Sequence, residues 1–177
     1  GATYADTAYR TIQNHVSSGH VGRQLVEYVS PKPEDVRSMM NGLIRCAERL
    51  LTSKVEPVVA AAVIGFGFVF IHPFRDGNGR LHRWFIHYML ARSGFAPNEL
   101  VFPVSAVMLN RRQEYDACLE SVSRALKPLI DYDENTDGSL TVHGETALHY
   151  RYLDYTAIAE ALFRWTEETV HTELKNE

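Results

Sequence analysis

The chain has 177 residues, 45% of them hydrophobic and 23% charged, and carries a net charge of −4. That length and apolar content suit one compact domain with a substantial core, and the scattered Lys and Arg of an acidic chain leave no nucleic-acid footprint. Its two cysteines, Cys46 and Cys118, stand far apart without metal-ligand spacing, which fits core thiols in a reducing, cytoplasmic compartment.

In chain order, the first predicted element is a short helix near Tyr4 to His15. Val21 to Val29 alternates apolar residues and reads as a short hairpin. From Glu34 to Leu51, the residues Val36, Met39, Met40, Leu43, Ala47, Leu50 and Leu51 recur at three and four, and Pro33 sits in the first turn, so an amphipathic helix is predicted. Pro57 to Ile71 is the longest apolar stretch, but it is too short for a membrane span and runs into charged residues. Its β-branched and aromatic end would suit a buried strand. Glu56-Pro57 is nevertheless a good helix start, and with Ala60-Ala61-Ala62 it predicts a helix buried on all sides. Further helices are predicted from Ser105 to Leu126 and from Thr156 to Leu174, the latter within a C-terminal helical segment 150–177. Between them Asp137-Gly138 makes a turn before a strand at Ser139 to His143. The chain begins at Gly1-Ala2 without Met, which suggests a piece of a longer protein.

The run from Ile71 to Arg83 holds the chemistry. Leu81, Trp84, Phe85, Tyr88 and Ala91 keep helical spacing, so Gly77-Asn78-Gly79 is the loop that opens a helix with its free N–H groups outward. A helix start favours carboxylates, yet Arg80 and Arg83 share one face of this first turn, a conflict that a bound polyanion resolves. The two glycines let backbone amides approach a ligand closely, as a phosphate nest requires. Asp76 beside that nest is suited to Mg²⁺, which prefers oxygen ligands and bridges to substrate phosphates. His72, just before the loop, is the side chain best able to take a proton near neutral pH. A base beside a nucleotide phosphate implies phosphoryl or nucleotidyl transfer.

The segment His72-Pro73-Phe74-Arg75-Asp76-Gly77-Asn78-Gly79-Arg80-Leu81-His82-Arg83 resembles the signature of the Fic family: His-Pro-Phe, two residues with Asp or Glu second, Gly-Asn-Gly-Arg, two residues, Arg. Pro31 to Val36 is similar to the family's proline-containing helix start after its flap. Arg112 with Tyr115, and Tyr150 to Thr156, look like segments of larger bacterial-type relatives. The resemblance covers residues 20–175, and residues 1–20 match poorly.

The resemblance implies an all-α Fic fold, a compact helical bundle with a short β-hairpin flap near the site, formed by residues 1–177 as one domain with the active-site motif at 72–83. It implies that His72 deprotonates a target hydroxyl, and that Phe74 packs the loop into the core while belonging to the nucleotide-binding set. Asp76 would hold Mg²⁺ against the α- and β-phosphates, Gly77, Asn78 and Gly79 would form the anion hole, and Arg80 and Arg83 would bind the β- and γ-phosphates of ATP. The implied activity is protein adenylyl transfer to a Tyr, Thr or Ser hydroxyl with release of pyrophosphate. Transfer of another phosphate-containing group and a non-catalytic nucleotide-binding module stand as alternatives. Positioning and charge stabilisation are the main demands of such chemistry.

Partners implied are ATP and a protein substrate docked as an added strand on the flap. Neither nucleic acid nor a membrane is expected, and the family leaves room for a homodimer. Many relatives carry an inhibitory helix of pattern Ser or Thr, three residues, Glu, then Gly or Asn. Thr169 to Glu173 has the spacing, but Leu174 replaces the small residue, so the inhibitor is expected outside this chain or from a partner.

Two metal decoys are set aside. His82 and His87 lie five residues apart and do not share a helix face. Asp133, Asn135, Asp137 and Gly138 start like a calcium loop, but the twelfth position falls on Gly144 instead of Glu.

Overall fold

The computed structural model describes residues 8–20, 23–95 and 102–172. Its first elements are strands β1 (His15–His20) and β2 (Arg23–Val29), paired antiparallel with an irregularity between Val16 and Ser17. The hairpin thus starts earlier than Val21, and the predicted span 21–29 contributes only its second strand. The helix expected near Tyr4 to His15 does not form over residues 8–14, where the chain runs irregularly, and its residues 4–7 lie outside those described. Tertiary contacts outweigh the weak periodicity there: Arg10 is 3% exposed and points its guanidinium at distant backbone, and Tyr9 lies 5.7 Å, centroid to centroid, from Phe74.

Helix α1 (Pro33–Thr52) has Pro at its start, Glu34 and Asp35 in its first turn and Arg49 in its last, each placed to suit the helix dipole. It buries Val36, Met39 and Met40. Helix α2 (Pro57–Ile71) is capped by Glu56, whose carboxylate accepts from the N–H groups of Val58 at 2.7 Å and Val59 at 3.0 Å. Being apolar all round, α2 occupies the middle and packs against α1, α3 (Asn78–Arg92) and α6 (Thr156–Thr172).

The expected helix from Ser105 to Leu126 is two helices, α4 (Val104–Asn110) and α5 (Arg112–Leu126). The backbone leaves helical geometry at Arg111 (φ −95°, ψ 40°), whose guanidinium forks onto Glu168 of α6 at 3.1 and 3.2 Å. Strands β3 (Tyr132–Glu134) and β4 (Leu140–Val142) pair antiparallel around Asp137-Gly138, with Gly138 at φ 81°. The helix within 150–177 begins at Thr156, where the Asp154 carboxylate accepts from the Thr156 N–H at 2.9 Å. The buried side chains form one contiguous core drawing on all six helices, from Val36 to Trp165. The protein is therefore an all-α bundle with two small two-stranded sheets. Among the described residues no helix is long and apolar enough to cross a membrane.

Candidate nucleotide site at the start of helix α3

The connection between α2 and α3 is built by two left-handed residues. His72 ends α2 with φ 50° and ψ 57°, its N–H donating to the Phe68 carbonyl at 3.0 Å, and Pro73 bars continuation of the helix. Gly77, at φ 84°, turns the chain into α3, a geometry that disfavours any residue with a Cβ. The first turn of α3 carries no side-chain cap; the N–H groups of Arg80 and Leu81 donate to the Gly77 carbonyl at 3.0 Å, which leaves those of Asn78 and Gly79 for a ligand.

The structure brings the motif residues together around a cavity of about 350 Å³, lined by His72, Arg75, Asp76, Arg80, Arg83 and the Gly77-Asn78-Gly79 backbone. Asp76 is 94% exposed at its side chain and pairs only loosely with Arg80, at 3.4 Å. Asn78 also fixes the loop. It is buried, its Oδ1 accepts from the Phe74 N–H at 3.0 Å and its Nδ2 donates to the Phe74 carbonyl at 2.8 Å, so its side-chain amide clamps the loop. Phe74 does not line the cavity; its ring packs near Phe68 and Tyr9.

A second cavity of about 440 Å³ adjoins the first, sharing His72 and Gly79 with it. Its walls are Val16, Ser17 and Tyr28 of the flap, Val69 and Phe70 of α2, and Leu119 and Ser123 of α5, with Glu27, Asp116 and Glu120 also on its lining. The site therefore has a cationic half and a mainly apolar half, with His72 where they meet. The His72 Nδ1 lies 3.2 Å from the Val69 carbonyl, an acceptor only, so Nδ1 carries the proton and the Nε2 lone pair is free. Burial, opposed by that hydrogen bond and assisted by the Arg10 charge, holds the His72 pKa below the usual 6.5 and keeps the ring neutral at pH 7.

A flap near the site is expected from the resemblance, but Arg10 and the α5 wall of the apolar half carry no sequence signal, and Arg112 enters the sequence reading only through the resemblance. None belongs to the motif, and no local spacing ties them to it. His82 is fully buried edge-on against Phe66, with ring centroids 4.5 Å apart, and His87 Nε2 lies 2.9 Å from Ser105 Oγ. Thr169 is a core residue whose hydroxyl donates to the Trp165 carbonyl at 2.7 Å; Glu173 and Leu174 lie outside the described residues. Among the described residues no three His, Cys, Asp or Glu side chains converge to hold a metal ion.

An uncapped helix start flanked by arginines, beside a neutral histidine and approached by a hairpin, is set on an all-α bundle. The sequence model of the Fic/DOC family matches residues 2–90, and the chain belongs to that family. It is 31% identical over 114 residues to the protein adenylyltransferase fic-1 of Caenorhabditis elegans, covering 64% of this chain and 20% of that protein. It is 37% identical over 92 residues to the protein adenylyltransferase Fic of Nematostella vectensis, covering 50% of this chain and 19% of the relative. The chain thus spans about a fifth of these relatives. The fold is shared with a Fic family protein from Desulfovibrio desulfuricans G20, with a TM-score of 0.63, 23% identity, 99% of this chain and 43% of that one. It is shared also with a Fic domain containing signaling protein from Bacteroides thetaiotaomicron, with a TM-score of 0.53, 20% identity, 92% of this chain and 53% of the other.

Proposed function

We propose that this chain is a protein adenylyltransferase that moves AMP from ATP to a Tyr, Thr or Ser hydroxyl of a target protein. The observation that carries this reading is the position of His72 at the junction of the two cavity halves. A nucleotide with its triphosphate in the cationic half and its nucleoside in the apolar half has its α-phosphate at that junction.

His72 Nε2 takes the proton of the target hydroxyl, whose oxygen attacks the α-phosphorus. The bond from that phosphorus to the oxygen bridging the β-phosphate breaks, and pyrophosphate leaves. Arg80, Arg83 and the α3 amides meet the charge on the leaving group without having to reorganise. Asp76, a single exposed carboxylate, would hold a Mg²⁺ ion of the kind that accompanies polyphosphates. When bound there, Mg²⁺ neutralises phosphate charge.

The target chain docks on the flap. There β2 is the inner strand, with Lys127 Nζ donating to the Val26 carbonyl at 2.6 Å and the Tyr150 hydroxyl to the Val29 carbonyl at 2.7 Å. Among the described residues β1 pairs with β2 alone and keeps one edge for an added strand. An inhibitory helix, if used, comes from outside this chain or from a partner.

The test is incubation with a cell lysate, Mg²⁺ and ATP labelled at either the α- or the γ-phosphate. Protein labelling from the α-label alone, reduced at least a hundredfold in His72→Ala while ATP binding changes less than about threefold, is the expected result. Labelling from the γ-phosphate, or equal labelling by His72→Ala, refutes the assignment.

A further inference from the structure

Arg10 lies 62 residues before the catalytic histidine and outside the motif, yet it is bonded to the backbone of that histidine. Its Nε donates to the His72 carbonyl at 2.8 Å, and its own backbone N–H donates to the Pro73 carbonyl at 2.9 Å. Nη1 donates to the Ile12 carbonyl at 3.0 Å, and Nη2 donates to the Pro31 carbonyl just after the flap. None of these partners is a carboxylate; Glu34 acts on the guanidinium from a distance. A buried cation held only by carbonyl dipoles is a costly way to fasten a loop, and a neutral side chain could bury the same volume.

The two loop carbonyls explain why a cation stands there. His72 is the only non-glycine among the described residues with a positive φ. Its left-handed turn swings its carbonyl away from the helical ladder of α2, and Pro73 cannot donate to close the end, so both carbonyls are left for an outside donor. A planar fork with five N–H groups reaches His72, the N-terminal run and the flap exit at once, which a lysine cannot do.

We propose that Arg10 is a positioning residue that holds the His72-Pro73 backbone in its left-handed turn, so that the imidazole keeps Nδ1 on the Val69 carbonyl and Nε2 toward the α-phosphate. The inference rests on the adenylyl-transfer reading for its kinetic arm only. It also makes flap and base one unit, since the same guanidinium grips both.

The experiment compares the full chain with Arg10→Lys and Arg10→Met, each assayed well below its own melting temperature. We expect kcat for AMP transfer to fall at least tenfold with KM for ATP changed less than about threefold, Arg10→Lys falling less than Arg10→Met. In the absence of ATP, the ¹⁵N resonances of the His72 ring should shift in both variants, reporting a changed tautomer balance. Arg10→Lys decides the matter if Arg10→Met does not fold. Unshifted His72 ring resonances or an undiminished kcat overturns the proposal. If the wild-type chain transfers no AMP, the ring spectrum alone decides, so the two readings fail separately.

Discussion

Three histidines stand within sixteen residues, and burial gives each a pKa below the usual value, most strongly at His82, where it falls to about 4. The ring of His82 is sealed between Phe66 and Tyr115, Arg83 adds repulsion, and the Gly65 carbonyl offsets only part of the cost of a charge there. The unfolded chain therefore takes up the proton first, near pH 6.5, and stability falls as pH drops from there toward 4. Lowering pH from 7 to 5 should cost about 2 kcal/mol through His82 alone. Urea unfolding at the two pH values should show that loss in the wild type and a smaller one in His82→Leu, which removes the buried base; equal losses would contradict the assignment. At this scale the motif from His72 to Arg83 was legible as a family signature because its residue types stand at fixed spacing. The side-chain clamp of Asn78 on the main chain of Phe74, four residues before it, was not read from the sequence. Arg10 was invisible because carbonyl partners leave no trace in a sequence.

The helices were mostly readable from period and caps, as at Pro33 and Glu56, and their packing turns on the smallest residues. A Cβ at Gly65 would lie 2.5 Å from Ile86 Cγ1 and 3.4 Å from the His82 carbonyl, whereas one at Gly42, on the exposed side of α1, would meet nothing within 4 Å. Gly65→Ala should push α2 off α3 and cost about 1–3 kcal/mol. Gly42→Ala should instead stabilise by about 0.5–1 kcal/mol, since it removes backbone freedom from the unfolded chain and improves helix propensity. Thermal melts of the two variants should move in opposite directions. The break at Arg111 was not legible: Val104, Val107, Met108, Tyr115, Cys118 and Val122 keep one helical rhythm across it, and the departure coincides with an ion pair to α6.

In the whole molecule, α6 closes the core that α2 cannot bury alone. Trp165 is wholly enclosed, and its indole N–H donates to Glu114 of α5 at 2.9 Å, a carboxylate that also accepts from Arg164. Trp165→Ala should cost about 3–5 kcal/mol, well beyond any effect of Phe163→Ala two residues earlier at a half-exposed position, as chemical denaturation can measure. The sequence foretold such a helix but not which chain segments would wall the site, because flap, loop and α5 meet only through contacts remote in sequence.

Those remote contacts impose an order on synthesis. The flap carbonyls of Val26 and Val29 wait for Lys127 and Tyr150, 101 and 121 residues later, and Lys32 reaches forward to the Gly144 carbonyl. A nascent chain emerging from the ribosome thus displays its entire signature motif by residue 83, while strand β2 of the hairpin still lacks these partners. A polypeptide that stops soon after Arg83 would carry the whole motif without the contacts that fix β2, so the hairpin settles only after the residues from Lys127 to Tyr150 have been made.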